Sequence, residues 1–308
     1  MTAPALLCMG EPMLELNRQP PDAQGRALYL EGHGGDTSNA AIAAARSGAN
    51  AGYVTAIGAD AAGQSFLDLW AREGVDTATV IRRADAPTGL YLVTHGPEGH
   101  AFTFFRDNSA AARFTPAEVP EAAIRAARIL HVSGISQAIS SSACDAVFQA
   151  IQTARDGGTL ISYDTNLRLR LWPAARAAAT IHAALALCDI ALPSLDDARI
   201  LTGLEAPDAI ADFYLRLCPT VLLKLGAQGA LCATRASRTH IPPHPVTPID
   251  ATGAGDCFAG AFLARHLAGD SLIDATRYAN TAAALSTTGF GAVAPIPTAA
   301  AVLRAMGS

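Results

Sequence analysis

The hydrophobic and polar positions along the chain follow two periods, one suited to strands and one to helices. Leu6–Gly10 is a short apolar run closed by glycine and predicts a first strand. Strand-type segments follow at Met13–Leu16 and Leu28–Glu31, and the alanine-rich stretch Ser38–Ser47 predicts a helix. Ala51–Ile57 predicts a strand and Gly63–Glu73 a helix. Leu90–Thr94 and Ala101–Arg106 alternate as a half-buried antiparallel pair does, with Gly96-Pro97-Glu98-Gly99 as the turn between them.

After Pro116 strands and helices take turns. Ile129–Ser133, Thr159–Tyr163, Ile190–Leu192 and Val221–Leu225 predict strands, and Ser142–Arg155, Ala174–Leu187 and Leu195–Leu201 predict the helices between them. This alternation implies a parallel sheet covered by helices on both faces. Gly229–Thr234 forms a hairpin-like return, and Ala254–Leu267 and Ile273–Thr287 predict two long helices. The expected architecture is one α/β domain over residues 1–308, a doubly wound, mostly parallel sheet. A small β-sheet lid, built from about 11–33 and 86–108, is expected over it.

Composition narrows the function classes. Hydrophobic residues make up 50% and charged residues 16%, which supports a large core and excludes a disordered chain. The net charge of −5 gives no basic field for nucleic acid. The six cysteines (Cys8, Cys144, Cys188, Cys218, Cys232 and Cys257) lack zinc-knuckle or CxxC spacing. They are expected as reduced core residues of a cytoplasmic protein. The first ten residues have no basic n-region, and no apolar run suits a bilayer span, so neither a signal peptide nor a membrane partner is expected. The eight histidines form no HxxxH-like pair, which argues against a transition-metal site. Ser140-Ser141-Ser142 has no GxSxG frame and is better read as a helix N-cap than as a nucleophile.

The strongest chemical signal is Asp250-Ala251-Thr252-Gly253-Ala254-Gly255-Asp256, directly before an apolar helix. Its glycines permit close backbone approach to a ligand, and a loop opening a helix directs free N–H groups and the helix dipole at one spot. That arrangement suits a phosphate. Asp256 would stand beside it, where a carboxylate can take a hydroxyl proton late in phosphoryl transfer. The competing reading is a glycine turn with Asp256 as N-cap. Neither GxxxxGK[ST] nor a GxGxxG after the first strand is present, which argues against a Walker loop and a dinucleotide site. A second glycine site, Gly34-Gly35-Asp36-Thr37-Ser38-Asn39, exposes backbone donors and small polar side chains fit for a polyol.

Together these residues resemble the ribokinase (PfkB) family of carbohydrate kinases, over essentially the whole chain. GGDTSNAA at 34–41 resembles the family's di-glycine signature and DATGAGDCFAGAF at 250–262 its C-terminal signature. The resemblance implies a ribokinase-like sheet with a small β lid, in agreement with the periodicity. It also implies that Asp256 is the catalytic base and that Gly253, Ala254 and Gly255 form the anion hole. ATP and Mg²⁺ follow from the same resemblance, with nucleotide contacts at Asn166, Ser194, Lys224, Gly226, Gly229 and Asn280. The family's N-x-x-E element corresponds to Ser194-Leu195-Asp196-Asp197, with serine for asparagine and aspartate for glutamate. Asp197 is then the candidate to act on Mg²⁺ through water. Many relatives bind K⁺ beside the anion hole, for which Asp250 and the Thr252 carbonyl are the candidates here.

Within the family, Gly10-Glu11-Pro12-Met13, Gly34-Gly35-Asp36-Thr37, Phe104-Phe105-Arg106 and the run from Asp164 to Trp172 resemble 2-keto-3-deoxygluconate kinases. A sugar acid needs a carboxylate partner, and arginine supplies a planar, always-charged one. Arg106 from the lid and Arg168 from the main sheet are expected to close on that carboxylate, with Tyr91 offering a hydroxyl. Phe105 stands where relatives often carry Tyr or Trp, so its ring would give shape and water exclusion without a hydroxyl. The alternatives are another kinase of the family, acting on fructose, ribose or a different keto-deoxy acid, and a catalytically silent sugar- or nucleotide-binding protein. The exposed lid sheet is expected to pair copies of the chain into a homodimer or higher oligomer.

Overall fold

The computed structural model describes residues 3–96 and 99–307, so Pro97 and Glu98 of the expected turn lie outside the described residues. The strands are β1 (Leu6–Met9), β2 (Met13–Gln19), β3 (Leu28–Gly34), β4 (Ala51–Gly58), β5 (Val80–Arg83), β6 (Gly89–Gly96) and β7 (Gly99–Phe105). They continue with β8 (Ile129–Ser133), β9 (Leu160–Asp164), β10 (Ile190–Ala191), β11 (Thr220–Lys224), β12 (Ala230–Thr234) and β13 (Arg238–Ile241). Among the described residues nine strands form one sheet, in the order β13-β12-β11-β10-β9-β8-β1-β4-β5. Pairing is parallel from β5 to β11 and antiparallel at β11–β12 and β12–β13.

The central strands β1, β4 and β8 are buried along their whole length, which explains their continuous apolar runs. Alternation sorts their side chains onto two faces. Leu7 and Met9 pack with Val147, Ile151, Ile181 and Tyr214 of the helices on one side. Leu6 and Cys8 pack with Ile42, Trp70, Phe262 and Tyr278 on the other. All six cysteines are free thiols, five of them buried and Cys144 half-buried. No helix of the described residues is long and apolar enough to cross a membrane.

The second sheet, in the order β3-β2-β6-β7, is built from the two excursions expected. It is antiparallel at both ends and parallel at β2–β6, because β2 leaves the main sheet directly after β1. Leu28 and Leu30 on β3, and Phe102, Phe104 and Phe105 on β7, remain exposed.

Several boundaries move. The helix expected from Ser38 starts at Asp36, and β3 runs on to Gly34. The edge strands β5 and β13 were not legible, nor were the helices Glu121–Ala126, Pro207–Leu215 and Ala299–Met306. The two edge strands have four residues each, too few to carry a clear period. Ser140 caps the helix Ser141–Gly157, accepting from Ala143 N at 2.9 Å.

Strand order reverses at β1, with β4 on one side and β8 on the other. Ligands in open α/β sheets bind outside the carboxyl ends of the strands at such a point. Glu11 follows β1, Ser133 and Asp164 end β8 and β9, Ser194 follows β10, and Lys224 ends β11.

Candidate active site

The glycine loop ends at Gly253, whose φ of 75° is left-handed backbone. A Cβ there would stand 3.0 Å from the Cβ of Ala292, so both conformation and space require glycine. The helix Ala254–Ala268 begins next, with no side chain capping it, and its first-turn amides lack partners within the helix. Asp256 lies inside that first turn and is not the N-cap. Asp250 laces the loop together: its Oδ1 accepts from Thr252 N at 2.9 Å and Thr252 Oγ1 at 2.6 Å, and its Oδ2 accepts from Gly291 N at 2.9 Å.

The di-glycine segment divides by helical period. Gly35 has φ 110°, and a Cβ on it would meet the Glu11 carbonyl oxygen at 2.4 Å, so the chain can turn here only as glycine. In the helix Asp36–Arg46 that follows, Asp36 and Asn39 share one face by their i,i+3 spacing. Asn39 Nδ2 donates to Asp256 Oδ2 at 2.8 Å, and Asn166 Nδ2 donates to Asp36 Oδ2 at 2.9 Å. Asp36 Oδ1 and Asn39 Oδ1 are buried without a protein partner, which leaves two acceptors for a polyol. Thr37 and Ser38 were expected at the sugar and instead turn to the core, on Tyr53 Oη at 3.1 Å and Trp70 Nε1 at 2.9 Å. Gly260 lets its helix touch the Asp36–Arg46 helix, since a Cβ there would meet the Ala40 carbonyl at 2.1 Å. This close crossing is what brings Asn39 to Asp256.

Asp256 is half-buried. Burial first, then the nearby Asp36 carboxylate, pushes its carboxyl up to about 8, against the Asn39 hydrogen bond that lowers it. The Asp36 carboxyl is also raised, chiefly by burial. The Asp256 carboxyl is thus raised toward neutral pH.

On the neighbouring strands Lys224 Nζ pairs with Asp164 Oδ2 at 2.6 Å, and the Asn166 N–H reaches Asp164 Oδ1 at 3.2 Å. Asp197 Oδ2 accepts from Thr165 Oγ1 at 3.2 Å and Leu167 N at 3.0 Å, and Ser194 caps the helix Leu195–Thr202. With Oδ2 so occupied, Asp197 fits contact with a cation through water better than direct ligation. A cavity of about 430 Å³ opens beside this cluster, lined by Lys224, Gly226, Gly229, Ala254, Gly255 and Asn280 among others. Its size lies in the range of small-ligand sites. Gly229 is required, because a Cβ would lie 2.1 Å from the Ile241 carbonyl. Asn280 is buried and donates to the Ile241 and Pro242 carbonyls at 3.1 and 3.3 Å, fixing the cavity wall. Asn166 and Ser194, expected at the nucleotide, do not line the cavity.

On the lid side Tyr91 Oη donates to Glu15 Oε2 at 2.5 Å, so the hydroxyl expected at the sugar is already engaged. A Cβ on Gly34 would lie 2.7 Å from that hydroxyl, which explains the first glycine. Arg106 pairs with Glu11, which is buried and also accepts from Ser109 Oγ at 3.1 Å. Its Nε is buried without a partner, and its guanidinium lies 5.8 Å from the Phe104 ring centre. Arg168 is exposed on the loop after β9, and Phe105 is exposed beside Arg106. Arg106 meets Glu11 and Arg168 meets the Leu167 carbonyl at 2.9 Å, so the two arginines share no protein partner. Glu11 and Asp164 went unassigned from sequence, although both stand inside the quoted motifs.

This frame has the features of a small-molecule phosphotransferase: a carboxyl raised toward neutral pH, a glycine-opened helix and an adjoining cavity. The pfkB family carbohydrate kinase profile matches residues 6–299, and the chain belongs to that family. It is 36% identical over 277 residues to the 2-dehydro-3-deoxygluconokinase of Bacillus subtilis, covering 88% of this chain and 86% of that protein. It is 34% identical over 291 residues to Fructokinase-1 of Oryza sativa, covering 91% and 90%. The crystal structure of a fructokinase with bound ATP from Xylella fastidiosa superposes with a TM-score of 0.89 at 26% identity, covering 98% of each chain.

Proposed function

We propose that this sugar kinase is a cytoplasmic enzyme that transfers the γ-phosphoryl of Mg·ATP to the terminal hydroxyl of 2-keto-3-deoxygluconate, forming 2-keto-3-deoxy-6-phosphogluconate. The observation that carries the phosphotransfer chemistry is the position of Asp256, between Asn39 of the sugar loop and the glycine amides that open the cavity. Asp256 accepts the hydroxyl proton, and a base raised close to working pH is matched to that task. The Gly253, Ala254 and Gly255 amides stabilise charge on the moving phosphoryl. Lys224 and the glycines at 226 and 229 flank the phosphates, and Mg²⁺ would enter on them and neutralise their charge. Asp36 and Asn39 hold sugar hydroxyls through their free oxygens, and the small sheet excludes water as a lid.

For the acid, the support is the Bacillus subtilis relative together with Arg106 and the exposed Arg168 at the lid side. A second reading, a fructokinase, is favoured by one specific observation: Glu11 already neutralises Arg106. A second copy of the chain is the proposed partner, covering the exposed Leu30 and Phe102, which share one face of the small sheet.

ADP release from Mg·ATP with purified protein, compared across 2-keto-3-deoxygluconate, its galactonate epimer, fructose, ribose and no sugar, tests the reading. Turnover much faster with 2-keto-3-deoxygluconate is expected. Preference for fructose or ribose would keep the kinase and discard the sugar acid, and turnover with none would support a silent binder.

A further inference from the structure

The protein has one lysine against 21 arginines, and that lysine, Lys224, stands in the site. Its side chain is largely buried against Asp164, it lines the 430 Å³ cavity, and a Cβ on Gly255 would lie 3.4 Å from its Nζ. Asp164 is buried and uses both oxygens, one on Nζ and one on the Asn166 N–H. Asn166 has φ 30° and is one of two non-glycine residues with positive φ among the described residues. Such backbone persists only where its surroundings over-determine it, and it gathers at functional sites. From that conformation the Asn166 side chain reaches Asp36, which does not line the cavity.

We propose that Asp164 is a positioning residue that couples the nucleotide cavity to the sugar loop, through Lys224 on one side and through Asn166 and Asp36 on the other. The inference rests on the assignment of ATP to the cavity and of the sugar to Asp36. A polyphosphate entering beside Gly255 competes with Asp164 for the Lys224 ammonium. An ammonium on a flexible four-carbon stem changes partner readily, whereas a planar guanidinium would stay forked on Asp164. This accounts for lysine at the one site in a chain that otherwise uses arginine. Once Nζ turns to the phosphate, the buried Asp164 charge is left with the Asn166 N–H as its partner. That contact tightens, and Asn166 holds Asp36 more firmly for the sugar. Nucleotide and sugar therefore strengthen each other's binding by the same factor, as linkage requires.

Calorimetry on the intact protein tests this, with the sugar that supports turnover titrated in the absence and presence of Mg²⁺ and the non-hydrolysable analogue AMP-PNP. In the wild-type protein AMP-PNP is expected to lower the sugar Kd by at least about fivefold, the lower end of typical couplings. Asp164→Asn keeps an acceptor for Asn166 and loses the charge that holds Lys224, so its ratio is expected within about twofold of one. Asn166→Ala is expected to lose the coupling in the same way, and it carries the test if Asp164→Asn does not fold. Variants that keep the wild-type ratio, or a wild-type ratio near one with both ligands bound, would overturn the coupling and leave the kinase reading intact. Absence of AMP-PNP binding to the wild-type protein would overturn both.

Discussion

Asn39 and Asp256 lie 217 positions apart in sequence and are joined by a 2.8 Å hydrogen bond between the first turns of two helices. The bond depends on Gly260, one turn further along, where the helix backbones touch. Gly260→Ala would drive a methyl group into the Ala40 carbonyl, so the helices must part. Overpacking of this kind costs about 1–3 kcal/mol. The expected outcome is a lower midpoint in urea unfolding and a turnover loss larger than the stability loss explains. A variant that is destabilised yet fully active would show that Asn39 does not set Asp256.

Asp256 gives a pH signature. Its carboxyl is raised to about 8, so the free enzyme should gain kcat/KM as pH rises to that region and then level off. Asp256→Asn should lower kcat by about 10²–10⁴-fold while both ligands still bind. Stability runs the other way. The folded state holds this proton more tightly than the unfolded chain, where the aspartate titrates near ~3.9, so the stabilisation is complete below that value and falls as pH rises through about 8. Melting temperatures of wild type and Asp256→Asn compared between acid and alkaline pH check the sign. Wild type should lose ground to the variant on the alkaline side.

Asn39→Ala removes the hydrogen bond that opposes this shift. The rising limb of its pH profile should move to higher pH, with the largest activity loss near neutrality and partial recovery in alkaline buffer. A uniform loss at all pH values would assign Asn39 to sugar binding alone.

The two glycines proposed for the anion hole should differ. Gly253→Ala meets both left-handed backbone and Ala292, and a side chain in that region costs roughly 1–2 kcal/mol before any clash. Gly255→Ala places its methyl at an ordinary 3.4 Å from Lys224 Nζ, so the fold should hold while ATP affinity falls. Thermal melts paired with AMP-PNP titrations separate the two effects.

Arg106→Ala should raise KM for a sugar acid about tenfold or more, the worth of one charge-assisted contact of 1.5–3 kcal/mol, with little change for a neutral sugar. It also strands Glu11 in the interior, so the double variant Arg106→Ala, Glu11→Gln should recover stability without recovering acid affinity. Equal losses for acid and neutral sugars would show that Arg106 only fixes the lid.

The amino-acid sequence by itself determined the strands buried on both faces, the long helices and the glycine-opened loop before Asp256. These depend on local periodicity and on backbone conformations open to glycine, both legible along the chain. It also placed Asp36, Asn39 and Lys224 among the candidates. Only the tertiary structure decided which neighbours share a face, so that Asp36 and Asn39 turn to Asn166 and Asp256 while Thr37 and Ser38 enter the core. It likewise decided that Arg106 meets Glu11, that Lys224 meets Asp164, and that Asn166 meets Asp36 and does not line the cavity. These pairings join residues from different strand ends. Their reason is physical: a buried charge must find a partner, and which partner is within reach is set by the strand order of the sheet.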